Sequence, residues 1–368
     1  MKDKKRMTGK VVIGRCETYD TDKIKNFIYK GFEEINFKIV RSKILLKPNL
    51  LSAKTPDKAV TTHPEFIRAI SEMLMDYSCD VYIGDSPGFE STGKVLLHSG
   101  IMDVVNSHGL KVLPFNRKVI KKWQGISPYR EFTLGENPDD YDIIINIPKL
   151  KTHTMMGLTL GVKNTFGFIP AFDKAKWHLR AGRDRMLFAS LLIDIHDIVK
   201  PSLTIIDGIV GMDGDGPSSG RVRDLGFVAL SRSAYMLDHA MEKIIGLPYL
   251  LPVSTLASQH GLIGDYEIFN ASSPSMRVAR ETFSDLKLPY SMNTDWNLPK
   301  LVKRILSSFF IKKPKIDSHI CKNCKVCIRV CPADALLESQ ETPVFDFKKC
   351  IRCYCCQEMC PEGAIRLV

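Results

Sequence analysis

Residues 350–361 read "CIRCYCCQEMCP", five cysteines in twelve positions. Cys350, Cys353, Cys356 and Cys360-Pro361 are spaced C-x2-C-x2-C-x3-C-P, and Cys321, Cys324, Cys327 and Cys331-Pro332 repeat that spacing upstream. The repeat continues past the thiols: "CPADALL" is matched by "CPEGAIRL", and "TPVFDFKKC" supplies a short strand before the second set. A duplication of this kind predicts a pseudo-symmetric pair of similar halves. Of the eleven cysteines, only Cys16 and Cys79 lie outside this region, and both read as isolated, buried packing thiols. Cys355 breaks the spacing and belongs to neither set. Thiols at this density call for metal. The choice is between iron–sulfur clusters and zinc, whose modules favour paired C-x2-C units across a longer spacer.

The two runs resemble the two-cluster bacterial ferredoxins. In that pattern three cysteines on one loop cap three irons of a cubane, and the fourth, followed by proline, serves the other cluster. The resemblance implies a small α+β ferredoxin-like domain over residues 317–368 with two 4Fe–4S clusters. Cys321, Cys324, Cys327 and Cys360 would hold the first. Cys331, Cys350, Cys353 and Cys356 would hold the second, leaving Cys355 free. Lys325 and Tyr354 stand where glycine is common in that family.

The composition bounds the rest. At 368 residues, with 44% hydrophobic and 25% charged, the chain has room for two or three globular domains. The N-terminal "MKDKKRMTGKVVIG" lacks the apolar stretch of a signal peptide. No window holds the ~18 apolar residues of a membrane span. The expectation is a cytoplasmic protein without integral membrane association, whose thiols stay reduced. Two oxidised clusters at about −2 each would lower the formal charge of +11 to about +7. The basic residues are scattered and no motif that reads RNA or DNA occurs, so nucleic acid is not an expected partner. Anionic small molecules or an acidic redox protein suit that charge.

Residues 1–290 alternate strand and helix patterns, which predicts an α/β layered domain with a largely parallel sheet. "VVIGRC", "SKILLKPNLL", "DVYIGDSPG", "YDIIINIPKLKTH", "LTIIDGIVG" and "GFVALS" read as strands, with residues 116–140 irregular. Thr62 and Glu65 form a candidate capping box with Pro64 in the first turn. "RMLFASLLIDIHDIVKP" is a helix ended by Pro201, and "AYMLDHAMEKIIG" a helix capped by Gly246. A linker, 291–316, carries a basic amphipathic helix, fit for a membrane surface, a partner or its own domain.

Polar residues gather where the strands end. Lys47 and Asn49 follow one strand, Asp85 and Ser86 a second, Lys149, Lys151 and His153 a third, and Asp207 a fourth. Ligands of open parallel sheets bind outside the carboxyl ends of the strands. The glycine-rich stretch 211–220, with Gly214 and Gly216, reads either as a backbone cradle for an anion or as a plain tight turn. It is neither a Walker A sequence nor a G-x-G-x-x-G fingerprint, so neither flavin nor nicotinamide is indicated.

"KPNLL", "THPEFIRAI", "GDSPG", "PKLKTHTMMGLTLGVKNTFGFIP" and "DGIVGMDGDGPSSG" occur in the order of the prokaryotic family catalogued as domain of unknown function 362, which the chain resembles. That resemblance implies an iron–sulfur protein typical of anaerobes and archaea, and it implies no reaction. The residue types carry the chemistry. Lys151, His153 and Lys163 are the candidate catalytic residues, with Lys47 and Lys149 completing a cationic pocket for a carboxylate or phosphate. His153 is the natural proton donor, and Asn49 and Asn164 orient the substrate. Against this stands a packing role for His153 and solvated lysines. The basic run 174–185, including His178, reads as a solvated surface. The expected function is electron transfer through two clusters to an anionic substrate. The alternatives are an electron carrier or maturation factor docking a protein, or a non-redox enzyme with structural clusters.

Overall fold

The computed structural model describes residues 8–272, 278, 280–289 and 313–368. The chain begins with β1 (Thr8–Arg15), α1 (Thr21–Glu34), β2 (Lys43–Pro48), α2 (Pro64–Met75), β3 (Asp80–Gly84), α3 (Thr92–His98), α4 (Ile101–His108) and β4 (Lys111–Leu113). A hairpin, β5 (Val119–Lys122) with β6 (Glu131–Leu134), occupies the stretch expected to be irregular. Then come β7 (Ile143–Ile147), β8 (Lys149–His153), β9 (Gly157–Thr159), α5 (Gly161–Asn164), α6 (Ala171–Ala181) and α7 (Arg185–Val199). The domain closes with β10 (Leu203–Asp213), β11 (Arg221–Ser231), α8 (Ala234–Ile245), α9 (Pro252–Gln259) and β12 (Asp265–Asn270).

The strands form one mixed, mostly parallel sheet ordered β12-β1-β11-β10-β7-β2-β3-β4, with β8 paired to β10 and β9 to β8. Only β11 and β9 run antiparallel to their neighbours. Strand side chains alternate between the two faces, which is what buries both. Ile44, Leu46, Val12 and Ile205 pack under α1, α2, α3 and α4. Leu45 and Ile144 meet α7 on the opposite face, and Val11, Ile13 and Ile206 meet α8 there. Each fully buried large apolar side chain contributes ~1.5–3 kcal/mol, so three layers are enforced from both sides.

Helix termini follow local chemistry with one correction. Gly246 caps α8 at φ 78°, its N–H reaching the carbonyls of Glu242 and Lys243. Lys200, at φ 48°, ends α7 before Pro201. At α2 the cap is His63, whose Nδ1 accepts the Glu65 N–H, and Thr62 forms no capping box. The Thr62 hydroxyl is already committed, donating to the Ile147 carbonyl and accepting the Asn49 N–H.

The C-terminal module is small and α+β. Strand Pro314–Ile316 pairs with Ile365–Leu367, and Leu336–Leu337 with Val344–Phe345. The strand 314–316, assigned to the linker by sequence, therefore pairs within this module, and the amphipathic helix expected in the 291–316 linker, with its apolar positions at 301–310, lies outside the described residues. Short helices Val326–Arg329 and Cys355–Glu358 occupy equivalent places in the two halves. Lys325 and Tyr354 have φ of 60° and 61°, which accounts for glycine being common at those positions. The module docks on the α/β domain: Tyr354 and Leu367 join the core beside α7, and Arg183 Nη2 donates to the Cys350 carbonyl at 3.2 Å. Ser218 Oγ donates to the Glu358 carbonyl at 2.7 Å, and Gln357 Nε2 to that of Asp215 at 3.3 Å.

Candidate functional site

Two cavities of about 20 Å³ each lie within the C-terminal module. One is lined by Cys321, Cys324, Cys327 and Cys360, the other by Cys331, Cys350, Cys353 and Cys356. Backbone N–H groups of Asn323, Ala335 and Ala364 point at the sulfurs of Cys321, Cys331 and Cys360 at 3.2–3.4 Å. Such donors favour the thiolate form that a cluster needs. Among the described residues no three His, Cys, Asp or Glu side chains converge on a point where a single ion would sit. The thiols instead surround a space, the arrangement that suits a cubane.

A third cavity, of about 120 Å³, opens where the carboxyl ends of β2, β3 and β8 meet the C-terminal module. Its α/β wall carries Lys47, Asn49, Asp85, Ser86, Lys151, Lys163 and Asn164, and its module wall Arg329, Cys355, Glu358 and Met359. Lys47 Nζ lies 2.9 Å from Asp85 Oδ1 in a pair almost wholly buried. The same carboxylate accepts the N–H groups of Leu50 and Ser86, each at 2.8 Å, and so locks the two strand ends together. Lys151 donates to Asn49 Oδ1 at 2.8 Å and to the Val60 carbonyl at 2.6 Å. Asn49 passes the chain to Asn164, and Asn164 to Asn146. Asp238 accepts the N–H groups of Gly161 and Val162 and thereby fixes α5, which carries Lys163 and Asn164.

Burial decides the electrostatics. It pulls Lys47 below the ordinary lysine value, with Asp85 opposing. Lys151 falls well below it, through burial and then the nearby Lys163 and Lys149 charges. Lys163 is lowered by burial, partly offset by Glu358, and burial brings Lys174 down to about 8. His153 drops to about 4, from burial and then the Lys163 charge. Two backbone N–H groups, of Met155 and Met156, donate to its Nδ1, so the neutral ring keeps its proton on Nε2. That Nε2 lies 2.6 Å from Glu358 Oε1, off the direction of a linear hydrogen bond. Burial acts to raise Glu358, but the His153 contact and the Lys163 charge outweigh it and keep the carboxylate ionised.

The cavity thus gathers seven of the residues singled out by sequence, and the others lie elsewhere. His153 stands behind Glu358, off the cavity wall. Lys149 pairs with Asp207 at 2.9 Å and donates to Tyr19 Oη, a buried cluster closed by the His63 N–H. Gly214 and Gly216 turn their carbonyls to the hydroxyls of Thr152 and Thr154, and their loop meets the C-terminal module. Neither glycine lines the cavity, and Lys149 and Asp207 form a buried ion pair away from its wall. The solvated reading of 174–185 is corrected. Ala171, Lys174, Ala175 and His178 line the cavity from one face of α6, and Lys174 Nζ donates to the Ser86 carbonyl. Their i, i+3, i+4, i+7 spacing was the available signal. Cys355, Glu358 and Arg329 carried none, because only docking of the module brings them to the site.

Gly167 tests how tightly this wall is built. A methyl group there would overlap Asp85 Oδ1 and Lys47 Nζ. Gly167→Ala should push the pair apart at about 1–3 kcal/mol, lowering the melting temperature while iron content stays unchanged. An unaltered melting curve would show that the pair has room to move.

The chain matches the family described as "Domain of unknown function (DUF362)" over residues 44–243 and "4Fe-4S dicluster domain" over 313–361. Thylakoid-associated protein sll1697 of Synechocystis sp. is 30% identical over 287 residues, covering 77% of this chain and 88% of that protein. Among solved structures, lactate racemase apoprotein from Thermoanaerobacterium thermosaccharolyticum aligns at 11% identity and a TM-score of 0.41, over 65% of this chain and 58% of that one. Among the described residues no helix is long and apolar enough to cross a membrane.

Proposed function

Since the chain belongs to the DUF362 family and carries a 4Fe-4S dicluster domain, we propose that it is an iron–sulfur oxidoreductase acting on a small anion in the 120 Å³ cavity. Cys321, Cys324, Cys327 and Cys360 would hold one cluster, and Cys331, Cys350, Cys353 and Cys356 the other. Bound clusters would supply single electrons. The observation that carries this reading is the makeup of the cavity's two walls. Lysines line one side, and the other carries Cys355, Glu358 and Met359, from the stretch that also holds Cys356 and runs directly into Cys360. A module serving only as a staple has no need to place that segment against a cationic cavity.

In this reading Lys163 attracts the anion, Asn49 and Asn164 orient it, and the Lys47–Asp85 pair fixes the strand ends that carry them. Glu358, backed by the N–H of His153, shapes the far side. Lys174, brought down to about 8 by burial, is matched to giving up a proton near neutral pH.

Anaerobic protein reduced with dithionite and then freed of excess reductant should be reoxidised by a suitable small anion, read from the return of the visible cluster absorbance. Lys163→Met should slow that return with the iron content intact. Reoxidation only by a partner protein, equally fast in Lys163→Met, would replace the enzyme with a carrier.

A further inference from the structure

We propose that the cavity takes a small monocarboxylate with an apolar, ring-sized body, its carboxylate seated on Lys163 with Lys174 and His178 beside it. This rests on the reading of the cavity as the substrate site and names what the site holds.

The first observation is an ammonium without a partner. Lys47 is paired with Asp85 and also donates to the Pro48 carbonyl. Lys151 is held by Asn49 and Val60, and Lys174 by the carbonyls of Ser86 and Pro87. Lys163, on the same wall, makes no hydrogen bond or ion pair among the described residues. A half-buried ammonium left so is costly unless something in the cavity answers it. The group that answers it is an anion.

The second observation concerns the donors. Lys47 and Asp85 cancel, and the Glu358 carboxylate offsets part of the charge that Lys151, Lys163, Lys174 and Arg329 bring to the walls. A phosphate dianion would need several N–H donors around its oxygens, as phosphate loops provide. The glycine-rich loop that would supply them reaches the cavity only through Pro217, which has no N–H. A single carboxylate matches the donors that exist.

The third observation is His178. The ring is 4% exposed, stacked on Phe188 at 4.5 Å and set edge-on to Phe166, and its Nδ1 has no hydrogen-bond partner. It lies one turn beyond Lys174 on the α6 face that lines the cavity. A ring held this firmly, with polar capacity unspent, is a positioned ligand contact.

The fourth is the rest of the wall. Leu51, Phe89, Phe166 and Met359 are apolar, and Arg329 stacks over Phe89 at 4.5 Å. The 120 Å³ space holds on the order of ten water-sized groups, which is the size of a benzoate.

The test uses full-length, cluster-loaded, oxidised protein with no electron donor, and titrates it calorimetrically with benzoate, benzamide and inorganic phosphate. Benzoate should bind one per chain, at least tenfold more tightly than benzamide, and phosphate should not displace it. Lys163→Met should weaken benzoate about 10–100-fold and His178→Phe about tenfold. Lys176→Ala, an exposed position on α6 paired with Asp173, should have no effect. Phosphate binding in preference to benzoate, benzamide binding as well as benzoate, or no binding of any probe overturns the proposal. All three comparisons need only the unmutated chain. Benzoate binding without reoxidation by any carboxylate would keep this site and remove the redox reading. Reoxidation by a phosphate ester would do the reverse.

Discussion

Cys356→Ser should cost the protein one of its two clusters, whereas Cys355→Ser should leave iron at about eight atoms per chain. The neighbouring thiols are told apart by the internal repeat. Cys321, Cys324, Cys327 and Cys331 recur 29 positions later (350 − 321 = 29) as Cys350, Cys353, Cys356 and Cys360. On that offset Cys356 answers to Cys327, and Cys355 answers to Val326. The geometry agrees with the offset. Cys356 shares its small cavity with Cys331, Cys350 and Cys353, while Cys355 faces the larger cationic cavity. A serine oxygen is a poor substitute for thiolate toward iron, so Cys356→Ser should lose the cluster or retain it with three thiolate ligands. Colorimetric iron and sulfide with low-temperature EPR separates the cases. Loss of iron in Cys355→Ser with full retention in Cys356→Ser would shift the ligand register by one and overturn the assignment. Because metal binding and folding are coupled in modules of this size, each variant should be prepared by anaerobic reconstitution, so that a shortage of iron during expression is not read as loss of a ligand.

How much of the site the sequence disclosed depended on the range of the interaction. The cysteine register is local, written in spacing, and readable without the fold. The strand-end residues Lys47, Asn49, Asp85 and Ser86 were legible because a parallel sheet puts its carboxyl ends on one side. That rule does not say how deep along a strand a residue sits. Lys149 and Lys151 are two positions apart, yet Lys149 stands opposite Asp207 in the ladder and is neutralised there, while Lys151 reaches the cavity. Nothing in "KLKTH" separates them. On α6 the inward pair Lys174 and His178 is interleaved with the outward Lys176 and Arg180, and mixed charge masked a buried face. Glu358 and Cys355 lie roughly two hundred residues from Lys151 and Lys163. Their place depends on how one module docks on another, which the periodicity of neither reports.

Lys47→Met should destabilise the α/β domain by about 3–5 kcal/mol, the loss expected when one partner of a buried ion pair is removed and the other stays charged. At roughly 2–4 °C per kcal/mol for a domain of this size, the melting temperature should fall by about 6–20 °C. The magnitude follows from what Asp85 does. It holds Lys47 at 2.9 Å and accepts the N–H groups of both Leu50 and Ser86, so it cannot turn toward solvent without releasing two buried donors. Asp85→Asn added to Lys47→Met should recover part of the loss, because the amide oxygen still accepts one N–H and no charge remains. The difference between the double and single variants gives the coupling directly. Lys174 complicates the picture informatively. Its ammonium is bound to the Ser86 carbonyl, and Asp85 is the leading influence raising its pKa against burial. It is therefore positioned to serve as the replacement counter-ion. A loss in Lys47→Met well under 3 kcal/mol that becomes large once Lys174→Met is added would show the carboxylate shared between two lysines. A loss under about 0.5 kcal/mol in both backgrounds, the size expected for a solvated surface lysine, would mean that Lys47 and Asp85 are not the buried pair described, and the cavity wall built on them would have to be redrawn.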